Sequence, residues 1–462
     1  MTADLTRWLW TALAVALWLG LIGLTVQRVR AAARKAAEQA RLLAEAAGDD
    51  AVLIAFASQT GFGEELAWMT ARALSDVKGG DGGVGARITA FADLDLETLK
   101  GARRLLVVAS TTGEGDAPDG AARFVRQVMA AEADLSHLSY GLLALGDRSY
   151  DAFCSFGHAV GDWLDRCGAQ TLFDRVEVDD GDAGAVRHWQ HQLNQLTGST
   201  AAPDWTPPAY DRWRLVERTL LNAGSPGGEA YHLAFAPIDH APDWAAGDIA
   251  EIGLPARDGE QPASREYSVA SLPADGRLEV CIRLMRQPDG TPGLASGWLT
   301  QGTQIGDEVA LRVRPNRGFH APPPEVPVIL IGNGTGIAGL RGHLKARAQQ
   351  AKTGGAWLLF GERTRAHDAF YDADLQGWLA SGVLTRLDRS FSRDGGEHRY
   401  VQSLLAEQAR QAADWVDRGA YVYVCGSLEG MSKGVHAALE AALGEERLTW
   451  LTESGRYRRD VY

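Results

Sequence analysis

The sequence predicts two doubly wound α/β domains on either side of an antiparallel β-barrel, preceded by one transmembrane helix. Short apolar runs alternate with amphipathic segments over residues 51–196 and again over 326–462, a pattern typical of parallel sheets covered by helices. Between them, alternating strands separated by glycine and proline turns favour a barrel over residues 213–324. No charged residue occurs from Trp8 to Gln27. A chain of 462 residues is long enough for all of these parts.

The composition excludes several classes of protein. With 45% hydrophobic and 23% charged residues, the chain is ordinary globular material with ample core. Its net charge of −13 argues against nucleic acid as a partner. The four cysteines have no C-x-x-C spacing, so we predict neither a metal site nor a disulfide framework, and we expect a reducing compartment.

The amino-terminal segment has the properties of a membrane anchor. The uncharged stretch spans about 30 Å as a helix, which is one hydrocarbon core. The basic residues that follow it outnumber the single Arg7 before it, which places the rest of the chain on the cytoplasmic side. A cleaved signal peptide is the alternative, but the stretch is long and has no small-residue cleavage site. We therefore expect a single-pass protein of the inner or plasma membrane that contacts lipid through this helix.

The domain boundaries follow from changes in composition. Residues 27–47 contain no glycine or proline and are rich in Ala, Arg, Glu and Leu, which predicts a helical stalk. Residues 79–83 are a glycine-rich surface insertion, and the prolines between 203 and 208 mark a linker. The expected divisions are an anchor (1–27), a stalk (28–49), a first α/β domain (50–197), a linker (198–211), a barrel (212–325) and a second α/β domain (326–462).

Three loops in the first α/β domain predict a ligand site. Each loop follows an apolar run that reads as a parallel strand, and such sheets bind ligands at the carboxyl ends of their strands. The first loop also begins a helix, where unpaired backbone amides attract an anion. A plain turn explains any one such loop, but three at successive strand ends favour a site. The loops are Ser58–Glu64, Ser110–Asp116 and Leu145–Phe153.

These loops resemble those of flavodoxin and of the FMN domains of diflavin reductases. The resemblance implies that the first loop holds the FMN phosphate and that Tyr150 stacks on the isoalloxazine ring. Two residues depart from the family pattern: Phe62 stands where small residues are common, and Thr112 stands where some members have an aromatic residue. The implied FMN residues are Ser58, Gln59, Thr60, Gly61, Phe62, Gly63, Ser110, Thr111, Thr112, Gly113, Gly115, Leu145, Gly146, Asp147, Tyr150 and Phe153.

The predicted barrel carries a second site at Arg265-Glu-Tyr-Ser268. A strand can present Arg to a pyrophosphate, Tyr to a ring and Ser to the reactive edge of that ring. An ordinary edge strand is the alternative. The later sequence Gly293-Leu-Ala-Ser296 enters a helix, as a pyrophosphate loop does. Together the two segments resemble the FAD domain of the ferredoxin–NADP reductase family, which implies FAD contacts from Arg265, Tyr267, Ser268, Gly293 and Ser296.

The third site begins at the glycine-rich turn 332–336, after a predicted strand and before a helix. The segments that follow it resemble, in order and spacing, the NADPH domains of cytochrome P450 reductase and of the sulfite reductase flavoprotein subunit. The resemblance implies a hydride-transfer point surrounded by Ser268, Cys425 and Asp460, and a terminal Tyr462 that covers the FAD ring. A buried thiol with a packing role is the alternative for Cys425. The implied NADPH contacts are Gly334, Thr335 and Gly336 at the pyrophosphate, Ser392 and Arg393 at the 2′-phosphate, Tyr400 beside the adenine, and Arg363.

Several residues of this third site depart from the family pattern. Gly339 and Asn333 stand where proline is common, and His398 stands where a lysine often grips the 2′-phosphate. Glu362 replaces a cysteine of some relatives, and an acid at this strand end can favour the free ribose of NADH. We nevertheless predict NADPH, because Ser392 and Arg393 together suit a phosphate dianion.

The resemblance implies an enzyme that passes electrons from NADPH through FAD and FMN to a one-electron acceptor. The preferred acceptor is a haemoprotein at the cytoplasmic face of the membrane. The alternatives are ferric iron or a ferric siderophore, a sulfite reductase haem subunit and, from another class, a non-catalytic membrane adaptor. Acids exceed bases by roughly ten over residues 50–197, which would attract a basic partner. The sequence leaves no room for the helical connecting segment of cytochrome P450 reductase, so we also predict a mobile FMN domain.

Overall fold

The computed structural model describes residues 51–75, 85–197, 209–240, 242–255, 263–395 and 399–462. The predicted anchor, the stalk, the 79–83 insertion and most of the linker lie outside the described residues. Within those described ranges, no helix is long and apolar enough to cross a membrane.

The first α/β domain contains a parallel sheet in the strand order β2-β1-β3-β4-β5, with β6 also paired to β4. This is the doubly wound order of flavodoxin-like folds. The three apolar runs predicted to be strands fall in β1, β3 and β4. The strands are β1 Val52–Ala57, β2 Ala86–Ala90, β3 Arg104–Ser110, β4 Ser139–Gly146, β5 Gln170–Thr171 and β6 Val176–Asp179; the helices are α1 Phe62–Ser75, α2 Leu96–Gly101, α3 Ser155–Arg166 and α4 Ala183–Thr197.

Both faces of this sheet are covered by apolar side chains. One layer contains Phe91, Phe124 and Trp163, and the other contains Leu66 and Trp189. A parallel sheet that is buried on both faces needs near-continuous apolar strands, and β3 and β4 have them. The loops at the carboxyl ends of the strands are therefore fixed to a rigid support.

The barrel is an antiparallel sheet of six strands in the order β10-β9-β12-β7-β8-β11. The edges of the sheet meet just after β10, where the Ala270 amide donates to the Glu279 carbonyl at 2.7 Å. Strands β9 and β10 pair directly with each other, and residues 254–263 that separate them in the sequence are too few to form a connecting module. The strands are β7 Asp211–Leu220, β8 Ala230–Pro237, β9 Ile249–Gly253, β10 Ser264–Ser268, β11 Leu278–Arg283 and β12 Glu308–Arg314, and one short helix is α5 Leu294–Gly297.

The second α/β domain contains a parallel sheet in the order β15-β14-β13-β16-β17. Its last strand is the carboxyl-terminal segment, which places Asp460 directly beside Cys425 of β16. The strands are β13 Val328–Asn333, β14 Ala356–Glu362, β15 Arg386–Phe391, β16 Tyr421–Gly426 and β17 Tyr457–Val461; the helices are α6 Ile337–Ala348, α7 Asp372–Ser381, α8 Val401–Glu407, α9 Ala409–Asp417, α10 Lys433–Leu443 and α11 Glu445–Glu453.

The barrel and the second α/β domain share a core. Ala230 and Cys281 of the barrel pack in one apolar cluster with Ile337 of α6. Beside this cluster, Arg341 of α6 donates to the buried carboxylate of Glu279 at 2.5 Å. Apolar packing and a buried ion pair thus join the two parts into one unit, which we call the reductase unit.

The first α/β domain lies against the reductase unit through its loop edge. Four of its carboxylates face arginines of the reductase unit, and one pair has the opposite polarity. Because the charges are complementary, the two parts attract each other at this surface. The pairs are Glu64–Arg317, Glu65–Arg312 (2.9 Å), Asp119–Arg459, Asp180–Arg265 (3.7 Å) and Arg126–Glu453 (2.5 Å).

Candidate functional site

The first predicted loop is closed by the hydroxyl of Ser58. Its Oγ accepts from the amides of Gly61 at 3.0 Å and Gly63 at 3.1 Å. Gly61 has a φ of +87°, which a side chain would strain, and a methyl group on Gly63 would lie 2.9 Å from Ser110 Oγ. The loop before α1 therefore depends on glycines and brings the first and second loops into contact. Thr60, between Ser58 and Gly61 in the first loop, is half-buried.

Two residues of this loop also contact the reductase unit. Gln59 Nε2 donates to the Arg459 carbonyl of the reductase unit at 2.7 Å and to Asp119 Oδ2 of its own domain at 3.2 Å. The ring of Phe62 lies 5.8 Å from the guanidinium of Arg314. Gln59 thus has an interdomain role that the sequence did not reveal, and the unusual aromatic residue at position 62 packs at the same interface.

The second loop is held by its hydroxyl groups. Thr111 donates its amide to the Leu145 carbonyl at 2.9 Å, and its Oγ1 accepts from the Phe156 amide at 3.2 Å. Thr112 donates to the Asp116 carbonyl at 3.2 Å. A methyl group on Gly113 would lie 3.5 Å from Leu428 of the second α/β domain, so this loop also faces the reductase unit.

At the other end of the second loop, the Gly115 carbonyl accepts from Ser155 Oγ at 2.6 Å. Gly115 has a φ of +114°, and a methyl group there would meet Ala152 at 2.7 Å. The loop is therefore pressed onto the start of α3, next to the third loop.

The third loop presents an exposed aromatic residue. Asp147 accepts from the Ser149 amide at 2.7 Å, which shapes a turn in which Tyr150 is 41% exposed. Phe153 lies under the guanidinium of Arg148 at 4.3 Å. A methyl group on Gly146 would lie 2.7 Å from the Cys154 amide, so the strand end approaches α3 closely. The structure thus brings the three predicted loops to one edge of the sheet.

On β10, the three predicted FAD residues differ in exposure. Arg265 is half-exposed, and its guanidinium lies 3.7 Å from Asp180 of the first α/β domain. Tyr267 packs against the barrel core, and burial raises its pKa to about 12, so its hydroxyl stays protonated. Ser268 is buried at the domain boundary.

The loop before α5 joins two segments of the barrel. Ser296 Oγ accepts from the Met285 amide at 3.0 Å, and the Gly293 amide donates to the Met285 carbonyl at 2.8 Å. The hydroxyl predicted to face a pyrophosphate therefore already holds the loop in shape. Met285 and Leu294 beside it are largely exposed apolar side chains.

Ser268, Cys425 and Asp460 meet in one buried cluster. Ser268 Oγ donates to Asp460 Oδ2 at 2.6 Å. Cys425 Sγ lies 3.6 Å from the same oxygen and 3.9 Å from Ser268 Oγ. Burial raises the pKa of the Asp460 carboxyl and of the Cys425 thiol. Side chains from β10, β16 and β17 thus form a compact proton-holding group at the boundary between the barrel and the second α/β domain.

The glycine-rich turn after β13 lies against this cluster. A methyl group on Gly336 would lie 2.1 Å from the Cys425 carbonyl, and one on Gly339 would lie 3.2 Å from Cys425 Sγ. Thr335 Oγ1 is 3.1 Å from the hydroxyl of Tyr462, which is 55% exposed. The turn, the cluster and the terminal tyrosine are therefore neighbours, and the glycine at position 339 occupies a crowded position.

The residues predicted to bind the 2′-phosphate gather at the ends of β14 and β15. The Ser392 amide donates to the Glu362 carbonyl at 2.8 Å, and the Arg393 amide donates to the Arg363 carbonyl at 2.7 Å. Arg393 and Tyr400 are exposed. Position 398, where the sequence departs from the family lysine, lies outside the described residues. The exposed guanidinium and the neighbouring hydroxyl suit a phosphate dianion.

The donor groups of all three sites fit the cofactors implied by the sequence. Two strand-to-helix turns offer backbone amides at positions where glycine is required, and both suit phosphate groups. Among the described residues, no group of three or more His, Cys, Asp or Glu side chains is arranged to hold a metal ion.

Two domains of the chain match known families. Residues 54–189 match the flavodoxin family, and residues 330–437 match the oxidoreductase NAD-binding domain family. These matches agree with the two doubly wound sheets and with the loops at their strand ends.

Bacterial sulfite reductase [NADPH] flavoprotein alpha-components are similar to nearly the whole chain. The protein from Vibrio vulnificus is 28% identical over 540 aligned positions, which include 88% of this chain and 87% of that protein. The proteins from Vibrio parahaemolyticus and Shewanella sp. (strain MR-7) are each 27% identical and cover 95% and 91% of this chain. Since 88% of 462 residues is about 407, about 130 of the 540 aligned positions have no residue in this chain.

Proposed function

Because this chain belongs to the diflavin reductase family, and is therefore an NADPH-dependent flavoprotein oxidoreductase with FMN and FAD, we propose that it delivers single electrons to a separate haem protein. The nicotinamide supplies a hydride, and the two flavins convert this electron pair into single-electron steps. The polypeptide binds these groups, orients them and controls protons and water around them.

The cluster of Ser268, Cys425 and Asp460 supports the hydride step. Asp460 accepts from Ser268 at 2.6 Å, which fixes the serine hydroxyl at the end of β10. The same carboxylate stabilises a neighbouring positive charge, such as the one that develops on an oxidised nicotinamide. Tyr462, whose hydroxyl is 3.1 Å from Thr335 Oγ1, is a neighbour of this cluster and is proposed to limit the access of water to it.

The observation that carries the proposed acceptor class is the charge of the FMN-domain surface. Its carboxylates Glu64, Glu65, Asp119 and Asp180 surround the FMN loops and face arginines of the reductase unit. A partner that presents lysines or arginines around its redox centre can bind the same carboxylates once the FMN domain leaves the reductase unit. Such a surface favours a protein acceptor over a small metal chelate.

A sulfite reductase haem subunit is the second candidate acceptor. It is favoured by the relatives, which are named as flavoprotein components of an NADPH sulfite reductase and of which this chain covers about nine-tenths. A haem protein in or at the membrane is preferred because of the uncharged stretch from Trp8 to Gln27. The membrane location of the chain, with its catalytic domains in the cytoplasm, is part of the same proposal.

An anaerobic difference spectrum of native membranes tests the acceptor. NADPH is added to membranes that contain the protein and to membranes from a strain that lacks it. Haem bands that appear only in the first sample support a membrane haemoprotein. Bleached flavins without a haem response refute it. Adding purified sulfite reductase haem subunit, or a ferric chelate, to the bleached sample then identifies which alternative accepts the electrons.

A further inference from the structure

An ion pair crosses the boundary between the barrel and the second α/β domain. Arg283 is the last residue of β11, and Glu362 is the last residue of β14. Nη2 of the guanidinium contacts Oε1 of the carboxylate, and Nη1 donates to the Gly228 carbonyl at 2.7 Å. The side chains are only 17% and 4% exposed, so the pair is well shielded from water.

This pair lies against the turn that is predicted to bind the coenzyme pyrophosphate. A methyl group on Gly334 would lie 3.5 Å from Glu362 Oε1 and 3.8 Å from Arg283 Nη2. Gly334 has a φ of +57°, a conformation that leaves room for the pair beside the turn. The pair is therefore a direct neighbour of the predicted coenzyme site.

Glu362 also connects this turn to the residues of the 2′-phosphate site. Its Oε2 accepts from the Arg363 amide at 2.9 Å, and its carbonyl accepts from the Ser392 amide at 2.8 Å. Both carboxylate oxygens therefore have donors within the protein. An acid at this strand end is otherwise able to accept from a free ribose hydroxyl and to repel a 2′-phosphate.

We propose that Arg283 is a coenzyme-specificity residue contributed by the barrel. It neutralises Glu362 and keeps the carboxylate turned away from the ribose, so that the two extra negative charges of a 2′-phosphate are accepted. Without Arg283, the freed carboxylate repels the 2′-phosphate and is available to the hydroxyl of NADH. The NADPH preference then depends on a residue outside the nucleotide-binding domain as well as on Ser392 and Arg393.

The test compares two ligands that differ only in the 2′-phosphate. Isothermal titration of the oxidised holoenzyme measures the Kd of 2′,5′-ADP and of 5′-AMP. In Arg283→Gln, we expect the Kd of 2′,5′-ADP to rise at least about tenfold, because an unpaired carboxylate faces the phosphate. We expect the Kd of 5′-AMP to stay within about threefold. Equal changes for both ligands would overturn the proposal.

Two further variants separate charge from damage to the fold. Adding Glu362→Gln to Arg283→Gln removes the freed charge, and we expect the affinity for 2′,5′-ADP to recover to within about threefold of the wild type. Glu362→Gln alone leaves Arg283 without this carboxylate partner beside the turn and should not weaken the binding of 2′,5′-ADP. The assignment is contradicted if Glu362→Gln binds 2′,5′-ADP more weakly than the wild type does. It is also contradicted if the double variant binds 2′,5′-ADP as weakly as Arg283→Gln.

Arg286→Gln provides the matched control. Arg286 lies three residues along the same hairpin, is half-exposed and is 3.8 Å from Glu229. We expect both Kd values to stay at their wild-type levels. Since binding of 2′,5′-ADP needs no acceptor, the outcome does not depend on which redox partner the enzyme uses.

Discussion

Arg459 of the reductase unit is paired with Asp119 of the FMN domain, and the next residue in the chain, Asp460, accepts a hydrogen bond from Ser268 in the proposed hydride-transfer cluster. Successive side chains of a strand point to opposite faces, so β17 contacts that cluster on one face and the FMN domain on the other. Gln59 extends the contact between β17 and the FMN domain, because its side-chain Nε2 donates to the Arg459 carbonyl at 2.7 Å. The carboxyl-terminal strand therefore belongs to both interfaces.

Removing the Arg459 side chain should open the molecule. In Arg459→Ala, the partly buried Asp119 carboxylate loses its partner, and a loss of about 1 kcal/mol shifts the ratio of closed to open molecules roughly fivefold. We expect a larger radius of gyration by neutron scattering from the full-length protein in contrast-matched detergent. High salt screens the same ion pairs and should increase the radius of gyration of the wild-type protein in the same way.

The matched substitution is Arg410→Ala, which removes an exposed arginine of α9. Its scattering curve should coincide with that of the wild type. A wild-type radius that does not respond to salt, together with an unchanged Arg459→Ala, would mean that the FMN domain stays fixed in one position.

Replacing Asp460 should slow the reduction of the flavins by NADPH. Asp460→Asn removes the negative charge that orients Ser268, and losses of about a hundredfold to a thousandfold are usual when a preorganised electrostatic group of this kind is removed. Stopped-flow measurement of flavin bleaching should show the slower phase with a larger isotope effect for deuterated NADPH. The flavin content should remain normal, since a loss of FAD would point to a folding role instead.

Acid should also slow this step. Burial raises the pKa of Asp460 above its ordinary value of 3.8, so the carboxylate takes up a proton earlier than an exposed aspartate as the pH falls. The rate of flavin reduction should therefore decline as the pH is lowered. The decline should be absent in Asp460→Asn, which carries no titrating group at this position.

The turn after β13 should not tolerate a side chain at Gly336. In Gly336→Ala, the new methyl group would lie 2.1 Å from the Cys425 carbonyl, so either the turn or β16 must move. We expect at least about a tenfold loss of affinity for NADPH, measured as the Kd of NADP⁺. Gly377→Ala in α7 is the control, because its methyl group meets nothing within 4 Å and should leave the Kd unchanged.

Loss of the Glu279 charge should destabilise the reductase unit. The carboxylate is buried and accepts from Arg341 at 2.5 Å and from Lys345 at 3.3 Å. Glu279→Gln therefore removes the buried charge that both cations share and leaves them only the more exposed carboxylates of Asp374 and Asp275. We expect a loss of about 3–5 kcal/mol in the free energy of unfolding, measured by denaturant titration. Glu97→Gln removes an exposed carboxylate that pairs with Lys100 at 3.0 Å and should change stability by less than about 1 kcal/mol.

The same carboxylate gives the stability of the unit a pH dependence. Burial by itself raises the pKa of Glu279, but Arg341 and Lys345 outweigh that effect and lower the pKa to about 2. The contribution of the pair is therefore complete above the ordinary value of 4.5 and is lost as the pH falls towards 2. Unfolding curves at successive pH values should show this loss in the wild type and a smaller one in Glu279→Gln.

Local patterns predicted the sheets and the loops at their strand ends. The runs that became β1, β3 and β4 are apolar throughout, and the turn residues that follow them are visible in the sequence. The proximity of Ser268 to Asp460 has no local signal, because 192 residues separate them, and it was available only through the family resemblance. The Arg283–Glu362 pair was not predicted, since charges at two distant strand ends form no periodic pattern.

The uninterrupted β9–β10 hairpin has a consequence for any acceptor. Without a connecting module, residues 198–210, between the end of α4 and the start of β7, are the covalent connection between the two flavin-carrying parts, and 13 residues reach at most about 47 Å. A short linker keeps the FMN domain near the arginines of the reductase unit at an effective concentration on the order of millimolar. An acceptor must compete with the reductase unit for the FMN domain. It therefore needs either high affinity or confinement to the same small volume, and two proteins held at one membrane surface are confined in this way.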